Sequence, residues 1–318
     1  MMLHYLFQGM ICILRGNFRF MQISIEQINL NAQRSFQAYE YDFASQDQMF
    51  HAHDEFELAT VVGSGGLLYC GAETTLFSSG DIFLFGRRLP HRFIRQPGES
   101  TARVIQFRMD AFGEGFFGLP ENLPIRTLLD RSAQGLAFPF ASTQAAGRLA
   151  AVIKADTSRR IPELLLLLAE LSESAGRGEA VSLSPGGVVI RSRGVDEERL
   201  SRLQDFIESE YAGNATLDAA AETLALTRTS FCRYVKRVTG RTFTELVNDY
   251  RLTAAAMMLR DSGAGTLSVA AVSGDAGFGS LSHFNSRFKE RFGITPKEYR
   301  ETAAAGEVNK KLDLITIN

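Results

Sequence analysis

Sliding this sequence along itself by 53 residues lays "FCRYVKRVTGRTFTEL", residues 231–246, on "FNSRFKERFGITPKEY", residues 284–299. Phe231 meets Phe284, Lys236 meets Lys289, Gly240 meets Gly293, Thr242 meets Thr295 and Glu245 meets Glu298. In both copies aromatic rings and cations recur at helical spacing, and a glycine stops the run. A short helix precedes each copy, "TLDAAAETLALTRTS" before the first and "VAAVSGDAGFGSLS" before the second. Thr227 and Ser280 stand where the next helix needs an N-cap. Ala219, Ala220 and Ala221, then Ala270, Ala271 and Ser273, are small enough to let two helices cross closely at a steep angle. Helix, tight turn, helix is the arrangement whose second helix enters the major groove of DNA. A plain bundle with solvated lysines and arginines would explain one basic helix; two copies with cap and glycine stop argue against it.

With these features in hand, the chain resembles the AraC/XylS-type bacterial transcription regulators. Their signature is carried by "VSGDAGFGSLSHFNSRFKERFGITPKEYR", residues 272–300, and the resemblance covers about the last hundred residues. It implies two helix-turn-helix units joined by one long helix, here "TFTELVNDYRLTAAAMMLRD", with the recognition helices in successive major grooves. Carried over by position, Arg228, Thr229, Cys232 and Arg233 face base edges, and Lys236 and Arg237 face the backbone. The second helix presents Leu281, Ser282, Asn285 and Ser286, with Lys289 nearby. Chemically, Arg233 suits guanine, Asn285 suits adenine, and Thr229 or Leu281 suits a thymine methyl. Val235 stands where the family usually has Phe, and Ser286 where it commonly has Arg.

The charge supports a local interface only. The chain of 318 residues carries net −2, but residues 199–300 hold 14 Lys and Arg against 11 Asp and Glu. The basic excess therefore lies in the helical end. Hydrophobic content of 45% is that of a globular protein with a real core. Cys12, Cys70 and Cys232 are odd in number and show no zinc spacing, which fits a reduced, cytoplasmic setting.

The fold class expected is α+β and multidomain. Residues 1–21 read as an extension from an over-long start, with Met21 as a fresh beginning and a membrane anchor as the alternative. Residues 22–173 read as a cupin-like β-barrel followed by a helical hairpin. Closely spaced strands run to about residue 110; helices follow, with Pro162 at a helix start and Leu164–Leu168 apolar on every side. Burial against the barrel and burial against a second subunit both fit that run. Residues 174–198, rich in Gly and Ser, read as a linker, 199–302 as the DNA-binding domain and 303–318 as a tail.

Within the barrel, His51, His53 and Glu57 give H-x-H-x-x-x-E, and His91 follows. This looks like the cupin double motif, which implies a divalent metal on three histidines and a carboxylate. Gly86 and Arg88 replace the usual Pro and Gly of its second half. AraC-type regulators use a cupin-like barrel as an effector pocket, so the alternative is that the histidines line or brace that pocket. Without a metal, a buried Glu57 needs a histidine or arginine, and Arg92 or Arg103 are the arginines at hand.

The expectation is a sequence-specific regulator rather than an enzyme, with no cofactor required. Its partners would be promoter DNA, RNA polymerase, a small effector such as a sugar or related metabolite, and a second copy through helices 143–173; no membrane is involved. The rival is a cupin-type metal oxygenase or isomerase with an accessory helical domain. A third reading is a sequence-blind DNA binder whose affinity collapses with salt.

Overall fold

Strands buried on both faces organise the N-terminal half. The computed structural model describes residues 24–25, 35–43, 50–95, 99–139, 143–186, 195–261 and 267–304. The extension, the middle of the linker and nearly all of the tail lie outside these. The strands are β1 (Ser24–Ile25), β2 (Phe36–Asp42), β3 (His51–Ala52), β4 (Phe56–Val62), β5 (Gly66–Cys70), β6 (Glu73–Phe77), β7 (Ile82–Phe85), β8 (His91–Arg95), β9 (Thr101–Phe107), β10 (Leu136–Phe138) and β11 (Val181–Ser182). They form two sheets, in the orders β1-β3-β8-β5-β6 and β11-β10-β7-β4-β9-β2.

The two-residue period sorts the side chains. In the larger sheet Leu58, Ile82, Leu84 and Ile105 point to the helices of this half. Their neighbours Ala59, Val61, Phe83, Phe85 and Val104 point to the space between the sheets, where they meet Leu68, Phe77 and Phe93. Both faces of this sheet are therefore covered, and β4 reads as a near-continuous buried run.

The covering helices are α1 (Leu123–Arg131), α2 (Thr143–Lys154) and α3 (Thr157–Gly176). On α3, Leu164, Leu167, Leu168 and Leu171 make the buried stripe against the barrel, while Leu166 is exposed. Pro162 does not start this helix but lies inside it. The amides of Arg159 and Arg160 already bond to Asp156 O at 2.9 and 3.2 Å, so the first turn closes ahead of the proline. The helix also runs into the stretch read as linker, and β11 of that stretch pairs with β10.

Helices make up the C-terminal half: α4 (Val195–Glu210), α5 (Leu217–Thr223), α6 (Arg228–Thr239), α7 (Phe243–Asp261), α8 (Val269–Asp275), α9 (Leu281–Phe292) and α10 (Pro296–Ala304). The repeat is explicit in the caps. Thr216, Thr227, Ser268 and Ser280 each accept an amide three residues on, at 3.2, 3.3, 3.0 and 3.4 Å. Gly240 and Gly293 end α6 and α9 at φ 72° and 75°, a region open to glycine at little cost. Thr242 with Glu245 and Thr295 with Glu298 then form the same capping box, the glutamates accepting amides at 2.6 and 2.8 Å. The turn from α8 to α9 is one residue longer than that from α5 to α6.

The two halves share one apolar cluster. Phe50, Ala52, Leu67, Tyr69 and Leu76 of the smaller sheet join Leu203, Ile207, Tyr211, Tyr250 and Leu259 of the helical half. The outer face of that sheet is thus covered by α4 and α7, and Tyr69 stacks on Tyr250 with ring centroids 5.9 Å apart. No described helix is long and apolar enough to cross a membrane.

Candidate nucleic-acid interface and buried histidine cluster

Helices α6 and α9 each hang from their core by aromatic rings. Phe231 is buried edge-on to Phe243 at 5.4 Å, and Phe284 packs between Phe278 and Phe288 at 5.1 and 5.4 Å. The helical period then forces the intervening residues outward. On α6, Arg228, Thr229, Cys232, Arg233 and Lys236 are all exposed. On α9, Leu281, Ser282, Asn285, Ser286 and Lys289 are exposed as well. The smaller Val235 is fully buried.

The cations are not equivalent. Arg237 is half-buried, donates to both oxygens of the buried Asp196 at 2.8 and 3.2 Å, and lies over the Tyr234 ring. It braces α6 against α4 instead of standing with the outward set. Arg228 lies 3.3 Å from both carboxylate oxygens of Asp218, in an exposed pair that is worth little and yields readily to a phosphate or base. Arg287 pairs with Glu290 at 2.7 Å, and Arg291 with Asp249 at 3.2 Å. Arg233 and Lys236 are the exposed cations of α6 for which no such pair is formed among the described residues, and Lys289 is that of α9. Exposed His283, in the first turn of α9, joins this surface. Sequence reasoning passed over it, although its place beside Ser282 on the outward arc was readable.

The histidines converge. His51, His53, Glu57 and His91 bring their ligand atoms within 4.8 Å of one another. Glu57 sits opposite Phe85 and Gln106 on the neighbouring strands. Its Oε2 accepts from Gln106 at 2.8 Å and lies 2.9 Å from His53 Nε2; Oε1 lies 3.4 Å from His91 Nε2. Arg92 and Arg103 are engaged elsewhere: Arg92 with Glu208 and Arg103 with Glu40, both at 3.1 Å. Both sit on strands whose alternation turns them away from Glu57. Of the two partners expected for a buried Glu57, histidine is the one present, as His53 and His91, and Gln106 adds a neutral donor.

Tautomers decide the chemistry. His53 Nδ1 is 3.1 Å from Glu55 O, and His91 Nδ1 is 2.8 Å from Leu89 O. A carbonyl only accepts, so both Nδ1 atoms carry hydrogen. A neutral ring in that form turns an Nε2 lone pair toward the Glu57 carboxylate, and His91 Nε2 has no aligned hydrogen bond. The centre therefore calls for positive charge, either a second proton on the imidazoles or a divalent metal. Burial opposes ionisation of Glu57, but His91 and His53 outweigh it and hold the carboxyl well below the usual range. The donor set and its anchored Nδ1 atoms fit a divalent metal, which all four side chains would hold.

Open space lies elsewhere. A cavity of about 320 Å³ is lined by Arg87, Arg108, Met109, Phe116, Phe117 and Arg126, among others, and none of the four clustered residues lines it. Arg87 and Arg108 stand two residues beyond Phe85 and Gln106 along the chain, at the end of the barrel.

Comparison with known proteins agrees with this geometry. Residues 220–302 match the family model described as a helix-turn-helix domain. The uncharacterized HTH-type transcriptional regulator YdeC of Bacillus subtilis is 30% identical over 111 residues, 35% of this chain and 37% of that protein. The virulence regulon transcriptional activator VirF of Yersinia enterocolitica is 32% identical over 149 residues, 47% of this chain and 50% of that protein. The chain thus spans half the length, or less, of these curated relatives. A crystal structure of ToxT from Vibrio cholerae aligns with 85% of this chain and 98% of its own at 15% identity and a TM-score of 0.35, too low to establish a common arrangement. Residues 220–302 are thus similar to the helix-turn-helix domain of transcription regulators.

Proposed function

We propose that the protein is a sequence-specific, effector-responsive transcription regulator that reads promoter DNA through α6 and α9. The observation that carries this reading is the duplicated, separately capped helix pair with its outward residues exposed in both copies. An enzyme has no need of two such faces. Arg233 would read a base edge; Lys236 and Lys289 would hold phosphates; Arg237 would act as a brace. The place of work is the cytoplasm, where promoter and RNA polymerase are met.

A second copy is proposed to pair through α2 and α3, supported by the exposed Ile161 and Leu166 on α3. The effector is proposed to enter the cavity at the barrel end. Its lining of Arg87, Arg108 and Arg126 with Asp110, Glu114 and two phenyl rings offers donors, acceptors and stacking faces, which suits a hydroxylated ligand such as a sugar or related metabolite. Sequencing the DNA that the purified chain retains from sheared genomic DNA tests the DNA-binding claim and points to candidate effectors through neighbouring genes. Calorimetry with each candidate, with and without operator, should give two affinities, because linkage is reciprocal. Equal affinities would remove the sensor role.

The histidine cluster supports one second reading, a metal-bearing barrel, either structural or of the oxygenase or isomerase kind. Elemental analysis of protein purified without added metal, beside a His51→Ala/His53→Ala variant, checks it. Stoichiometric metal lost in the variant supports a metal site; turnover of a small substrate by the loaded protein would be needed for an enzyme.

A further inference from the structure

Both reading helices are tied to one carboxylate. Arg241 follows the Gly240 stop of α6 and donates from Nη1 to Asp249 Oδ2 at 3.0 Å. Arg291, in the last turn of α9, brings Nε to 3.2 Å from Asp249 Oδ1. Asp249 belongs to α7, the helix that joins the two units. The barrel supplies a fourth member. Glu73 opens the edge strand β6, and its Oε2 accepts from the same Arg241 Nη1 at 2.5 Å. Thr74 O of that strand is 3.5 Å from Arg291 Nη2 and 3.4 Å from Thr253 Oγ1 of α7. The side chains of Glu73, Asp249 and Arg291 are only 14–16% exposed, so salt and water screen this network less than a surface pair.

We infer that Asp249 and Glu73 are positioning residues for DNA reading, which fix α6 and α9 relative to one another and make the barrel a party to that spacing. Successive major grooves repeat about every 10 base pairs, so two rigidly linked helices accept one spacing between their blocks. Asp249 holds the C-terminal ends of both helices, the ends opposite their capped, base-facing first turns. Along the smaller sheet Glu73 also lies near the buried cluster. Cys70 pairs with Glu73 on one side and with His91 on the other, so the cluster lies two strand spacings, about 10 Å, from the bridge. The inference rests on the DNA-binding reading above.

The test uses the full chain on its selected two-block operator and on duplexes with the same blocks moved apart or together by single base pairs. Wild type should prefer one spacing. Asp249→Asn should flatten that preference about fivefold, within the range that coupled networks show, and by more than it weakens binding to the isolated first block. Glu73→Lys lies on an edge strand and decides the matter should the Asp249 variant fail to fold; it too should flatten the preference. A merely structural role would weaken every spacing by one factor, and an unchanged ratio in the folded variants overturns the positioning role alone. A wild-type chain that selects no operator overturns the DNA-binding reading, and this inference with it.

Discussion

Arg233 and Arg237 stand one turn apart on α6 and differ in what substitution should do. Arg233→Ala should weaken specific binding by about 1–3 kcal/mol and relax one base position, with little change in stability. Lys236→Ala should weaken all sequences alike and reduce the salt slope by about 1. Arg237→Ala should leave the salt slope alone and lower stability by about 1–3 kcal/mol, because buried Asp196 loses its bidentate partner. Operator titration across salt, beside urea unfolding, separates the three; a lowered slope in the Arg237 variant would return that residue to the phosphate set. The outward set was legible in the sequence because a 3.6-residue period exposes it. The role of Arg237 was not, since Asp196 lies 41 residues earlier and belongs to no shared period. The same holds in the barrel: the histidine spacing announced the cluster, but Gln106, 49 residues from Glu57, carried no local signal.

At the scale of elements, the two reading helices share a scaffold and differ in chemistry. The outward arc of α6 has Arg228 and Arg233; that of α9 has Leu281, Ser282, Asn285 and Ser286, with no cation among them. An arginine fork makes two hydrogen bonds to one guanine, whereas a serine makes fewer and tolerates more bases. The operator should therefore show one sharp block and, about one helical turn away, a degenerate one. Ser286→Arg should sharpen the second block toward guanine and leave the first unchanged in a randomised-site selection; two equally sharp blocks in wild type would refute the asymmetry. The repeat was legible to the residue because caps, glycine stops and T-x-x-E boxes are all local chemistry. The start of α3 was misread at Pro162, since proline is as easily carried inside a helix whose first turn is already closed by Asp156 O.

For the whole molecule, the least legible feature is the shared core between barrel and helices. A Gly- and Ser-rich linker marks a boundary in composition but says nothing of how the flanking surfaces meet. Two carboxylates in that interface give it a pH dependence. Burial pushes Glu73 up to about 7 against the pull of Arg241, with Asp249 and Arg291 also facing it. Burial likewise pushes Asp205 up to about 6 against Arg92, with Glu208 adding to the rise. A raised carboxyl binds its proton more tightly in the docked state than in the open one. Docking is then strongest below the ordinary carboxylate range and weakens as pH rises through about 6 to 7. Hydrogen exchange of the β6 amides should accordingly show a larger opening population above that window than below it, once intrinsic exchange rates are corrected for. Exchange that is flat across the window would remove these carboxylates from the docking equilibrium. In the proposed function one chain reads DNA with two linked helices. Randomised-site selection with this 318-residue chain checks this through the information content recovered at each position. Two enriched blocks about one helical turn apart are expected, the first sharper than the second. Retention of DNA without sequence enrichment, or a single block with nothing beside it, would contradict it.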